Sequence, residues 1–89
     1  MKHAGAETLD TLADLLDEIR RQAELREPKR GTFYRKSSGF LHFHEDPAGL
    51  FADLKLGSEY QRFRVNTPAE RRALLQRIAR LTRDVGRHR

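Results

Sequence analysis

Apolar residues recur every three or four positions in two stretches of the chain, one near each end. The first series consists of Leu9, Leu12, Leu16, Ile19 and Ala23. Residues with this spacing lie on one side of an α-helix, and polar residues fill the intervening positions. Because a proline disfavours helical geometry in the residue before it, Pro28 marks the end of the pattern. The spacing therefore predicts a first helix over residues 7–26.

The second stretch opens with a recognisable helix start at residues 67–70, Thr-Pro-Ala-Glu. Thr67 and Glu70 are spaced as a capping box, in which each side chain accepts a hydrogen bond from the other residue's backbone amide, and proline suits the first helical position. The apolar series that follows consists of Leu74, Leu75, Ile78, Leu81 and Val85. Gly86 supplies a stop signal. The sequence predicts a final helix from Pro68, with residues 86–89 frayed.

Between these helices the pattern changes to short runs rich in aromatic residues and separated by turn signals. The runs predict strands over 31–36, 40–45, 50–56 and 60–65, and the sequence Asp-Pro-Ala-Gly at 46–49 matches a type I turn. Short links favour hairpins. We therefore predict one α+β domain over residues 1–89, ordered α-β-β-β-β-α, with a four-stranded antiparallel meander and both helices packed on one face. Residues 1–6 are expected to be frayed, and residues 27–31 to be the loosest internal segment.

Side chains alternate across a strand, so each predicted strand divides into two faces. Aliphatic positions such as Leu41 and Leu54 fall on the side that the helices would cover. The opposite side has no helix left to cover it, and one aromatic residue of the first strand, Phe33 or Tyr34, would join it. The binding-face candidates on that side are Phe40, His42, His44, Phe51, Asp53, Lys55, Arg62 and Arg64.

Composition narrows the classes of function. The 89 residues carry a net charge of +5 and no cysteine, which excludes disulfides, thiolate catalysis and cysteine-ligated metal sites. No run of apolar residues is long enough for a membrane span, and no secretory signal is evident, so the expected location is cytoplasmic. Nine arginines against two acids in residues 62–89 make the C-terminal region basic.

The segment Phe-Leu-His-Phe-His-Glu-Asp at 40–46 raises the question of a metal site. His42 and His44 would present two imidazoles side by side, and Asp53 on the next strand would be the third ligand of a zinc or iron site. No spacing fixes that third ligand, however, and Arg62 and Arg64 would repel a cation. The sequence therefore predicts no metal and no cofactor.

An enzymatic function also finds little support in the sequence. A histidine beside Asp53 or Glu45 would make a proton-transfer pair, but the serines and Thr67 are accounted for by turns and a helix cap. No glycine-rich phosphate loop, nucleophile elbow or zinc-protease motif is present. We therefore predict a non-enzyme and identify no small-molecule substrate.

Three interpretations of the uncovered face remain. The leading one is association, either as a homodimer about a twofold axis or with a different protein, because a small domain gains stability by burying aromatic residues. The alternative is a nucleic-acid-binding module that uses this face and the arginine-rich C-terminal helix, since aromatic and cationic residues on an open sheet bind bases and phosphates. In the third, the face is a solvated surface on which Asp53 pairs across strands with an arginine or histidine.

Overall fold

The computed structural model describes residues 2–22 and 24–86, with side chains up to Thr82. In chain order the elements are β1 Lys2–His3, α1 Ala6–Thr11, α2 Ala13–Arg20, β2 Leu25–Lys29, β3 Thr32–Arg35, β4 Ser38–Asp46, β5 Gly49–Leu56, β6 Glu59–Arg64 and α3 Pro68–Gly86. Strands β2 to β6 form an antiparallel meander in sequence order, and β1 pairs with β4. The α+β class and the meander are confirmed, with more strands than the four predicted.

The first helical region is shorter and less regular than its apolar spacing predicts. It divides at Leu12, whose backbone (φ −95°, ψ 13°) leaves the helical region, and the second segment ends at Arg20 rather than at residue 26. The chain then forms β2, in which Leu25 packs against the core and Arg26 pairs with Tyr34. The prediction that 27–31 is loose is therefore wrong. Ala23, assigned to the first apolar series, lies outside the described residues.

The N-terminal segment forms part of the sheet instead of being frayed. Lys2 and His3 pair with Glu45 and His44 of β4, and the Ala4 amide donates a hydrogen bond to the Phe43 carbonyl (3.0 Å). β1 lies on the same edge of β4 as β3 does, and it pairs with the part of β4 that extends beyond β3. The pairing places the His3 side chain on the same side of the sheet as that of His44.

The predicted capping box at the start of α3 is confirmed. The Glu70 amide donates to Thr67 Oγ1 (3.1 Å), and the Thr67 amide donates to Glu70 Oε1 (3.1 Å). The same carboxylate oxygen also accepts from the Asn66 amide (2.8 Å). Glu70 therefore satisfies two backbone amides just before the helix, where no helical carbonyl can. The side chain of Val85, assigned to the second apolar series, and residues 87–89 lie outside what the structure describes.

All three helices cover one face of the sheet and form a single core with it. The buried cluster consists of Leu9, Leu12, Leu15, Leu16, Ile19, Phe33, Phe40, Leu41, Phe43, Ala52, Leu54, Val65, Leu74 and Ile78. Both amphipathic regions contribute to it, as predicted. None of the helices described is both long and apolar enough to cross a membrane.

Phe40 belongs to this core and not to the opposite face, which corrects the prediction. In the β3–β4 ladder Phe33 lies opposite Leu41, while Tyr34 lies opposite Gly39, so β4 carries one extra residue at position 40. Such a β-bulge changes the alternation of side chains along the strand. Phe40 is left 4% exposed, and the Arg35 guanidinium lies 5.8 Å from the centre of its ring.

Candidate functional site

The face of the sheet opposite the helices, called the open face below, contains a mixed set of histidine, aromatic and cationic side chains. Seven of the eight predicted candidates lie on it, and Phe40 does not. Cross-strand pairing assigns to it His42, His44, Phe51, Asp53, Lys55, Arg62 and Arg64, and adds His3, Arg26, Lys29, Thr32, Tyr34 and Tyr60. Cross-strand partners project to the same side of a sheet, so their register alone fixes this assignment.

Three histidines form a cluster where β1 and β4 meet. The ring centres of His3 and His44 are 4.8 Å apart, those of His42 and His44 are 4.9 Å apart, and those of His3 and His42 are 6.0 Å apart. His42 Nδ1 and His44 Nε2 lie within hydrogen-bonding distance of each other (2.8 Å). One nitrogen atom from each of the three rings lies within 4.8 Å of the other two. The cluster therefore has three imidazoles with nitrogens close together.

The protonation of His42 and His44 is shifted toward the neutral form. Burial lowers the pKa of both side chains, because a charged imidazolium loses solvation there. For His42 the neighbouring His44 lowers the pKa further, whereas for both rings the Asp53 carboxylate opposes the shift. A neutral imidazole has one nitrogen with a free lone pair, which is the form that accepts hydrogen bonds and binds metals.

Asp53 is committed to an arginine and is not free to act as a third metal ligand. Its two carboxylate oxygens accept hydrogen bonds from Nε (2.9 Å) and Nη2 (3.0 Å) of Arg62, a bidentate pair. This contact is the main reason that the pKa of Asp53 is lowered. One oxygen also lies 3.3 Å from His44 Nε2. Asp53 therefore contacts His44 but is paired with Arg62. The third side chain of the cluster is His3, where the sequence suggested Asp53.

The hydrogen bonding of His44 is incomplete. Its Nδ1 atom is buried and has no hydrogen-bond partner of good geometry within the part of the chain that the structure describes. A weaker contact with the Lys2 backbone acts on the ring, since it raises the pKa of His44 against the effect of burial. The other nitrogen, Nε2, faces His42 and Asp53.

Two tyrosines form an exposed aromatic surface next to the histidines. Tyr34 and Tyr60 are 38% and 46% exposed, the largest exposed apolar side chains described. Gly39 lies between them: it pairs with Tyr34 in the ladder, and a β-carbon on it would lie only 3.0 Å from the Tyr60 hydroxyl. The Tyr60 ring centre is 5.1 Å from that of His42. The absence of a side chain at Gly39 thus lets Tyr60 lie across the sheet toward Tyr34.

Phe51 lies on the open face as predicted, but it offers little surface to a partner. It is 8% exposed, and the Arg64 guanidinium lies 5.4 Å from its ring centre in a cation–π contact. His44 is its cross-strand neighbour on the other side. The aromatic residue on which the association interpretation most depends is therefore already covered within the same molecule.

Several residues of this face are not evident from the sequence. His3 is not among the candidates predicted from the sequence, and only the pairing of β1 brings it to His44. Arg26 and Lys29 fall in a segment predicted to be helix and loop. Alternation along the predicted strand 60–65 puts Tyr60 on the same side as Arg62. This is the signal by which Tyr60 could have been included among the candidates.

Comparison with protein-family models, with curated proteins and with solved structures found no match to this chain. The site must therefore be interpreted from its own residues.

Proposed function

We propose that this protein is a non-enzymatic binding domain whose open face binds single-stranded nucleic acid. The observation that carries the proposal is the pair of exposed rings, Tyr34 and Tyr60, beside Gly39 on a sheet face surrounded by cationic side chains. Unpaired bases stack on exposed aromatic rings of this kind, and each stacked base contributes roughly 1–3 kcal/mol. A flat sheet suits single strands because their bases are not already stacked in a duplex.

The charge of the open face supports an anionic ligand. Five cationic side chains project from three of its strands: Arg26, Lys29, Lys55, Arg62 and Arg64. Arg62 is held by both oxygens of Asp53, and Arg64 has a longer contact with Glu70 (3.6 Å). Arg26, Lys29 and Lys55 have no acidic partner in the described part of the chain and are the first to attract phosphate groups. Arg26 is the cross-strand neighbour of Tyr34, and Lys55 is that of Tyr60, so each tyrosine has a cation beside it. A nucleic-acid backbone that crosses the strands would therefore meet positive charge at both rings.

The structure leaves less support for self-association through this face. Phe40 is part of the core, Phe51 is covered by Arg64, and two copies of a cationic face would repel each other. Association with a second copy or with another protein stays a prediction, as does the cytoplasmic location. Self-association and nucleic-acid binding would use the same surface, and the mass measured by light scattering distinguishes a dimer from a monomer.

The two exposed arginines described on α3 do not extend this surface. The helix packs its apolar side, including Leu74 and Ile78, on the face of the sheet opposite the tyrosines. Arg72 and Arg80 are exposed on that helix and therefore lie away from the open face. We propose that the open face binds nucleic acid by itself and that α3 adds only long-range attraction.

Fluorescence anisotropy with labelled single-stranded and duplex oligonucleotides, in buffer containing EDTA, tests the proposal. We expect single strands to bind more tightly than duplexes, with affinity that falls as salt is raised. Tyr34→Ala and Tyr60→Ala should each lower affinity by about tenfold, the loss of one stacked base. Arg64→Ala should lower affinity and also reduce the salt dependence.

The double variant Arg72→Ala/Arg80→Ala is the matched control, because it removes positive charge from the opposite side of the molecule. It should weaken binding far less than the tyrosine variants. Equal losses in both sets, or no binding at low salt, would contradict the proposal. A doubled mass in light scattering that Tyr60→Asp abolishes would instead show that the open face joins two copies of the chain.

A further inference from the structure

We propose that His3, His42 and His44 together bind one divalent transition-metal ion, of which Zn²⁺ is the representative. The proposal does not depend on nucleic-acid binding, because it concerns a different group of side chains on the open face. It also differs from the ligand set His42, His44 and Asp53 considered from the sequence, in that a histidine of β1 replaces the aspartate.

The spacing of the nitrogens carries the inference. Zinc–nitrogen bonds of about 2.0–2.1 Å in a tetrahedral site put two ligand nitrogens roughly 3.3 Å apart. His42 Nδ1 and His44 Nε2 are 2.8 Å apart, so a separation of half an ångström more would admit a shared ion. The His3 nitrogen is within 4.8 Å of both, and its exposed ring on a two-residue strand can rotate toward them. Only small side-chain movements are therefore needed.

The charges around the cluster permit a cation. Arg62 is expected from the sequence to repel a cation, but its bidentate contact with Asp53 balances its charge. Arg64 is turned to the ring of Phe51 and to Glu70, 3.6 Å from its Nε. The two arginines expected from the sequence to repel a cation thus each have an acidic partner.

Nε2 is the ligand atom that the geometry assigns to His44. It lies 2.8 Å from His42 Nδ1 and 3.3 Å from the Asp53 carboxylate. The carboxylate places negative charge beside the nitrogens that would hold the ion, which favours a bound cation. In the neutral ring Nε2 can present its lone pair to the ion while Nδ1 keeps the proton.

The ligand type determines which ion fits. Three imidazoles with no thiolate favour zinc, copper, nickel or iron over calcium and magnesium, which prefer oxygen ligands. Three protein ligands leave a fourth position of a tetrahedral ion for water or an anionic oxygen. That position would face solvent on the side of the tyrosines, and the bound ion would add two positive charges to the open face.

Metal binding is tested with protein that carries no polyhistidine tag, in the absence of oligonucleotide. Calorimetric titration with Zn²⁺ should show one site per chain, and Co²⁺ should give the intense visible bands of a four-coordinate ion that Zn²⁺ then removes. His3→Ala should lower Zn²⁺ affinity by more than about 100-fold, beyond the cost of losing an outer-shell partner. Asp53→Asn should lower it by only roughly 10–100-fold.

Lys2→Ala is the matched control, because Lys2 is the neighbouring residue of the same strand and projects to the helix-covered side, opposite Glu45. It should leave Zn²⁺ affinity unchanged. The proposal is overturned if Zn²⁺ does not bind, or if His3→Ala binds it as tightly as the unmodified chain. Because oligonucleotide binding is measured in EDTA, failure of one proposal would be recognised independently of the other.

Discussion

Phe40 and His42 lie two positions apart on one strand, yet their side chains project to opposite faces of the sheet. In a regular strand they would share a face. The extra residue that β4 carries opposite β3 removes this constraint, so that Phe40 joins Leu41 and Phe43 in the core while His42 and His44 stay outside. A single inserted position thus allows one strand to supply both the core and the candidate site.

The core position of Phe40 predicts a large loss of stability on truncation. Phe40→Ala should lower the free energy of unfolding by about 3–5 kcal/mol, because it leaves a cavity among buried neighbours. Tyr60→Ala, on the open face, should change it by no more than about 0.5 kcal/mol. Urea unfolding followed by circular dichroism measures both. A small effect of Phe40→Ala would mean that the ring is not buried.

At this scale the sequence predicts most faces correctly and fails where the backbone departs from regular geometry. Alternation is sufficient to place Leu41, His42, Phe43 and His44. It cannot place Phe40, because no residue type in the sequence indicates a β-bulge. It also leaves open whether Phe33 or Tyr34 lies on the open face. The structure resolves that choice, with Phe33 1% exposed and Tyr34 on the open face.

The two helical regions differ in how strongly local interactions define them. Helix α3 begins with a capping box whose hydrogen bonds involve Thr67 and Glu70 alone, so a four-residue motif is enough to predict its start. The boundary at Arg20 has no such signal. Residues 24–27 favour a helix by composition, but Leu25 and Arg26 gain partners in β3 that are ten and eight residues away, which a local pattern does not show.

Glu70 predicts a measurable pH dependence of stability. Hydrogen bonds from the Asn66 and Thr67 amides lower the pKa of its carboxyl group from the usual 4.5, with the Asn66 amide as the main cause. Since the folded state holds the ionised form, this contribution is present above pH 4.5 and is lost as pH falls through the folded pKa. Glu70→Gln should therefore lower Tm at neutral pH and have little effect at a pH below the folded pKa of this carboxyl group.

Glu59→Gln serves as the control for this measurement, because the Glu59 carboxylate makes no hydrogen bond in the described part of the chain. Its Tm should follow that of the unmodified protein over the whole pH range. A Glu70→Gln variant that is equally destabilised at low and neutral pH would show that the effect is steric and not ionic.

The molecule as a whole is a one-sided sheet: one face is buried under three helices and the other is exposed. The fold class followed from the sequence because both apolar series and the turn signals are local. The composition of the exposed face did not, since His3, Arg26 and Lys29 reach it through strand pairings that no local pattern indicates. The candidate site is therefore less predictable than the core beneath it.

A single core predicts a single unfolding transition. The buried cluster joins residues of all three helices to four strands or their flanks, so no part of the described chain has a separate apolar interior. Far-ultraviolet circular dichroism and the fluorescence of Tyr34 and Tyr60 should give the same midpoint in urea. Distinct midpoints would show that a helix detaches before the sheet unfolds, and would contradict the single-domain prediction.

Pro28 sits on β2, at one edge of the meander. It lacks the amide hydrogen that an added strand would need, and the charged residues beside it, Glu27 and Lys29, disfavour stacking against another chain. The opposite edge, β6, has no proline, and all but one of its residues are exposed. An extended peptide should therefore add as an extra strand more readily at β6 than at β2.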